Sequence, residues 1–144
     1  MKIPLIIDTD PGHDDALAIM LAIKSNLFDV KAITTVAGNS SIENTTRNTR
    51  YILKLLNRED IPVFSGADKP LERDLIKAVV HGESGLEGLD PKNEPNLTGD
   101  AVDKILSIIK NSNEKITLVT LGPLTNIAKA IKKNSDIMSK LKEI

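Results

Sequence analysis

The sequence predicts an α/β domain: a parallel sheet covered by helices on both faces. Three observations carry this. Short apolar, β-rich runs alternate with longer helical stretches in the order β-α-β-α-β-loop-α-β-α. The strand runs are apolar at successive positions rather than alternate ones, as in strands buried on both sides. The polar residues that break these runs fall at strand ends, where ligands bind in such sheets.

The elements follow in order. "IPLII" (residues 3–7) is a buried strand, and "DDALAIMLAIKS" after it, apolar on nearly every face, is a buried helix. Asp14 and Asp15 open that helix, where the dipole favours acids. "VKAITTVAG" (residues 30–38) is the second strand. Ser40 and Glu43 have capping-box spacing, which starts a helix over residues 42–56. "IPVFSG" (residues 61–66) is the third strand. Thr98 is placed to cap a helix through "AVDKILSIIK", and "KITLVTLG" (residues 115–122) is the fourth strand. "PLTNIAKAIKK" is the last helix, with Pro123 at its permitted first position. The connection over residues 67–97 holds Pro70, Pro91, Pro95, Gly82, Gly85 and Gly88. A connection of that length is usually functional or carries small elements of its own.

Composition narrows the function classes. A net charge of -1 gives no electrostatic footprint for nucleic acid or an anionic membrane. With two Phe, one Tyr and no Trp, a base-stacking platform is not expected. The absence of cysteine excludes a disulfide scaffold and a thiolate zinc site. No apolar run approaches a bilayer span, and the first residues lack a signal-peptide pattern, so a cytoplasmic setting is the expectation.

The chemistry concentrates in "IIDTDPGHDDALAIMLA", residues 6–22, where Asp8, Asp10, Asp14 and Asp15 fall within eight positions. Helix capping calls for one acid, not four. Crowded carboxylates at a strand end demand a counter-charge, and a hard cation supplies it. The Pro11-Gly12 turn lets Asp10 and Asp15 converge, with carbonyls, water and substrate hydroxyls completing a shell. A water activated beside a carboxylate makes a hydrolytic centre. Asn39 has the donor and acceptor to hold a hydroxyl or that water, although an Asn after Gly38 also reads as a simple turn residue. His81, between apolar residues and Gly82, reads either as an exposed loop His or as a substrate contact. His13 receives no role.

"DTDPGHDDALAI" resembles the N-terminal signature of the inosine–uridine preferring nucleoside hydrolases. "AITTVAGN", "TRN", "PVFSGADKPL", "HGESGLEG" and "ITLVTLGPLTNIAKAI" follow in that family's order, so the resemblance spans residues 3–144. It implies a Rossmann-like core and calcium-dependent hydrolysis of a ribonucleoside to ribose and free base. Residue by residue, it implies that Asp10 binds calcium and acts as general base. Asp15 and the main-chain carbonyl of Leu121 are implied as further calcium ligands. Asp14 and Asn39 are implied to bind ribose, His81 to lie on the base side, and Asp8 to support the turn. A nucleoside substrate and a homodimer or homotetramer are implied as partners.

The resemblance also implies a considerably longer chain. Residues 1–144 are therefore expected to be the N-terminal portion of a single nucleoside hydrolase domain, incomplete as a catalyst and with an exposed sheet edge. Two other readings stay open. One is a non-catalytic remnant that binds calcium or a nucleoside. The other is a haloacid-dehalogenase-type phosphatase with Asp8 as nucleophile and Asp10 as acid/base, although "PGHDD" does not follow that pattern.

Overall fold

A computed structural model describes residues 1–89 and 98–144. Pro91, Pro95 and the remainder of that stretch lie outside the described residues. The chain forms β1 (Ile3–Thr9), α1 (His13–Lys24), β2 (Phe28–Thr35), α2 (Ile42–Leu55), β3 (Val63–Ser65), α3 (Ala101–Asn111), β4 (Thr117–Thr120), α4 (Thr125–Lys133) and α5 (Ser135–Met138). One 3₁₀ turn, Val79–His81, lies in the long connection. The sheet is parallel throughout, in the order β3-β2-β1-β4. β1 is central, so its side chains feed two cores. Leu5 and Ile7 pack with Ala16 and Ile19 of α1 and Ile52 and Leu53 of α2. Ile6 packs on the other face with Ile105 and Ile109 of α3, Ile127 and Ala130 of α4, and Met138. The α/β class with helices on both faces is therefore observed.

The boundaries differ from the sequence reading for local reasons. β1 continues through Asp8 and Thr9, because both pair with β2 at Thr34 and Thr35. β2 stops at Thr35 rather than at Gly38, and the chain turns away there to reach α2. The N-cap of α2 is Ser41, whose hydroxyl accepts from Asn44 N at 3.4 Å. Ser40 instead points inward and donates to Glu83 O at 2.8 Å. Thr98 does not cap α3. Its hydroxyl donates to Val63 O at 2.7 Å, and the N-cap position falls to Asp100 in the left-handed region, φ 66°. α4 starts at Thr125, since Pro123 is spent in the turn against Gly38.

Two expectations about coverage are corrected. α1 buries only Asp15, Ala16 and Ile19, while Leu17 and Leu21 are 68% and 71% exposed, because just one face of the helix meets the sheet. The outer edge of β4 is not bare. Lys142 N donates to Ile116 O at 2.8 Å and Leu118 N to Glu143 O at 3.1 Å, forming a short parallel bridge.

Candidate active site

The parallel sheet sets the site. β1, β2 and β4 all point the same way, so Asp10, Gly38 and Asn39, and Leu121 and Gly122 gather beyond one end of it, with Asp8 just inside the end of β1. Asp10 is the centre of the group. Its Oδ2 accepts the Asn39 N–H at 2.7 Å, and Asn39 Nδ2 donates back to Asp10 O at 2.8 Å. This reciprocal pair ties the end of β1 to the loop after β2. A Cβ on Gly38 would stand 2.1 Å from Asp10 Oδ2, and one on Gly122 2.6 Å from Oδ1. Both glycines are therefore required by the seat of this carboxylate.

Asp15 reaches back from the first turn of α1, where its Oδ2 accepts the Gly12 N–H at 3.1 Å. The capping role and a ligand role are compatible, because the second carboxylate oxygen carries no hydrogen bond among the described residues. Burial pushes the Asp10 carboxyl up to about 6; the Asn39 N–H opposes this and the charge of Asp15 adds to it. Asp15 is also raised, chiefly by burial, against the Gly12 N–H and with a contribution from Asp14. Two buried carboxylates that resist ionising together form an electrostatic deficit a cation would relieve.

Asp14 points outward, its side chain 82% exposed, and its Oδ1 lies 3.8 Å from His81 Nε2. The His81 ring lies flat on Gly12, where a Cβ would come within 2.7 Å of Nε2. Leu121 sits at the end of β4 with its N–H on Asp8 O at 2.8 Å. The structure thus joins Asp10 and Asn39 by hydrogen bonds, brings Asp15 near enough for its charge to act on Asp10, places Asp14 and His81 beside each other at the rim, and puts Leu121 on the neighbouring strand end. Among the described residues, no group of three or more His, Cys, Asp or Glu side chains converges as a metal cage.

Beneath the site lies a polar support that sequence reasoning missed. Asp8 is fully buried, and its Oδ1 accepts from Thr34 Oγ1 at 2.5 Å and Asn126 Nδ2 at 2.8 Å. Asn126 Nδ2 also donates to Thr35 O, and its Oδ1 accepts the Ala67 N–H, both at 2.9 Å. One amide in α4 therefore binds β1, the end of β2 and the chain after β3. The available signal was a polar residue on the apolar stripe of "PLTNIAKAI", opposite a strand that ends in acid. Asp8 Oδ2 has no hydrogen-bond partner among the described residues, and burial raises this carboxyl to about 6 against the pull of Asn126 and Thr34.

The model of the inosine–uridine preferring nucleoside hydrolases matches residues 5–144. The chain belongs to that family. At 50% identity over its whole length it is similar to the pyrimidine-specific ribonucleoside hydrolase RihA of Escherichia coli O7:K1, of which it covers 47%. The RihA of Klebsiella pneumoniae is 48% identical with the same coverage. Among solved nucleoside hydrolases, the plant enzyme PpNRh1 superposes with a TM-score of 0.88 at 39% identity, covering 98% of this chain and 46% of that one. The purine-preferring ribonucleoside hydrolase from Gardnerella vaginalis gives 0.86 at 32% identity, covering 96% and 46%. The chain spans about half the length of these nucleoside hydrolases. Family membership also removes the phosphatase reading, and the geometry agrees: a nucleophile cannot be a carboxylate with no exposed surface, as Asp8 has.

Proposed function

We propose that the protein hydrolyses the N-glycosidic bond of ribonucleosides to ribose and free base, with residues 1–144 as the N-terminal portion of one catalytic domain. The Asp10–Asn39 pair carries this reading. It holds a buried, proton-hungry carboxylate rigidly at the mouth of the sheet, as a general base requires. Asp10 takes a proton from the attacking water, and Asn39 keeps its carboxylate oriented. Asp14, exposed at the rim, accepts from a ribose hydroxyl. His81 faces the base. The anionic cluster favours positive charge developing on the ribosyl ring in an oxocarbenium-like transition state, and water attack implies inversion at the anomeric carbon.

Asp10, Asp15 and the Leu121 carbonyl are all hard oxygen donors, and the paired raised carboxylates fit a calcium ion in chemistry though not in number. When bound, calcium would acidify the water and fix the vicinal ribose hydroxyls. The roughly 50% identity to pyrimidine-specific relatives, against 32% to the purine-preferring one, supports pyrimidine ribonucleosides as the better substrates.

The test is release of reducing sugar from uridine, cytidine and inosine, with calcium, by the purified whole domain of which residues 1–144 are the N-terminal portion. We expect hydrolysis with a pyrimidine preference, and Asp10→Asn to lower kcat by about 10²–10⁴. A second reading, binding without turnover, draws on the shortage of converging carboxylates among the described residues. Calcium and nucleoside binding in a protein that releases no sugar would establish it and refute hydrolysis.

A further inference from the structure

We propose that His13 is a positioning residue: it fixes the tautomer of His81 and fastens the loop that follows His81 onto the start of α1. With both rings neutral, the geometry leaves one arrangement of protons. His13 Nε2 lies 3.0 Å from Glu87 O, and a carbonyl only accepts, so Nε2 carries the hydrogen. The Nδ1 of a neutral His13 is then a lone pair. It lies 3.1 Å from His81 Nδ1, so the hydrogen between the two rings belongs to His81. The rings are tilted by 43° with centroids 5.4 Å apart, so the contact is a hydrogen bond between edges rather than a stack.

His81 is thereby held as its Nδ1–H form, and Nε2 becomes the nitrogen presented to Asp14 and Gly12. With its side chain only 19% exposed and its ring flat on Gly12, His81 has no room to turn the other edge outward. The loop beyond it is clamped from both sides. Ser40 and Asn44 hold Glu83 O, at 2.8 and 3.2 Å, and Asn48 holds Ser84 O at 2.7 Å, all from the side of α2. On the side of α1, His13 is the side chain that reaches Glu87 O. The loop closes on itself through Glu87 N to His81 O at 3.0 Å. His13 thus joins the orientation of the imidazole to the seating of the loop. That Nε2 then meets a nucleoside rests on the proposed function; the tautomer and the clamp do not.

Residues 1–144 hold two histidines, and histidine-selective ¹⁵N NMR of the protein, assigned with His13→Gln and His81→Gln, reads both rings. At a pH where both rings are neutral, long-range ¹H–¹⁵N correlation is expected to show a pyridine-type Nδ1 in His13 and a pyridine-type Nε2 in His81. In His13→Ala, His81 is expected to lose its single tautomer, and the Glu87 amide to exchange about five- to ten-fold faster for the loss of one hydrogen bond. The same tautomer at both wild-type rings, or an unchanged His81 signal in the variant, would overturn the proposal. If the variant does not fold, the wild-type assignment alone decides. No substrate enters these measurements, so a failure here leaves nucleoside hydrolysis standing, and a failure of hydrolysis leaves the tautomers to be read.

Discussion

Asn126 Nδ2 stands 2.8 Å from Asp8 Oδ1, joining residues 118 positions apart at the centre of the sheet. Both side chains are fully buried, and the same amide serves Thr35 O and Ala67 N. Replacing it with Ala leaves the Ala67 N–H without its partner in the interior and takes one hydrogen bond each from Asp8 Oδ1 and Thr35 O, which keep Thr34 and the Gly66 N–H. An orphaned buried group costs about 1–3 kcal/mol, and each lost hydrogen bond about 0.5–1.5 kcal/mol. We expect Asn126→Ala to destabilise the chain by about 3 kcal/mol or more in urea denaturation, and Asn126→Asp by a similar amount through repulsion of Asp8. A loss below about 1 kcal/mol would show that the network is not a structural support.

Asp8 makes stability fall as pH rises. Its carboxyl sits at about 6 in the fold against an ordinary value of 3.8, so between about pH 4 and 6 the folded state retains a proton the unfolded chain has released. The stabilisation is therefore full below about pH 4 and is lost as pH climbs through 6. Asp10 and Asp15 act in the same sense while no cation is bound. For Asp8 the effect is about 2–3 kcal/mol across the window. Urea midpoints measured in chelator at pH 4.5 and 7 should diverge less in Asp8→Asn than in the natural chain. Equal divergence would mean that Asp8 ionises normally.

The two glycines that flank Asp10 offer a test of its seat. An added Cβ at Gly38 would sit 2.1 Å from Asp10 Oδ2 and 2.9 Å from Pro123, and one at Gly122 2.6 Å from Oδ1 and 3.0 Å from Val36. The side chains cannot retreat far, because Asp10 is held by Asn39 and Val36 is fully buried. Gly38→Ala and Gly122→Ala should each cost about 1–3 kcal/mol, as overpacking does. They should also lower hydrolysis by the whole domain far more than Lys110→Ala, on the exposed face of α3. Equal activity in all three variants would count against Asp10 as the reacting base.

Much of this was legible in the chain because its cues are local. Continuous apolar runs gave the parallel strands, and the strand-end acids together with Gly38 and Asn39 pointed to the mouth of the sheet. What escaped depended on distant partners. Glu43 three residues on favours Ser40 as the cap by spacing, but the carbonyl of Glu83 turns Ser40 inward and leaves the cap to Ser41. Thr98 looks like a cap until Val63 O takes its hydroxyl. Asn126 reads as a helix residue until β1 and β2 supply its bonds. His13 could not be assigned because both of its partners, His81 and Glu87, lie on a loop more than sixty positions away.

Cation binding gives the last prediction. Asp10 and Asp15 each spend Oδ2 on a backbone N–H, from Asn39 and Gly12, which fixes the carboxylate planes before any ion arrives. Bringing two raised carboxyls to full charge requires a counter-ion, so calcium uptake should release protons most strongly at and below about pH 6. At about 100 times its Kd, calcium should stabilise the fold by about 2.7 kcal/mol, a rise in Tm of roughly 5–10 °C. Magnesium, which demands tighter octahedral geometry and keeps its waters, should give less. Asp15→Asn should remove most of the calcium effect while keeping the Gly12 cap through its amide oxygen. Thermal unfolding of the natural chain and this variant, each with chelator, magnesium and calcium, reads all of these at once. An equal calcium shift in the variant would place the ion elsewhere.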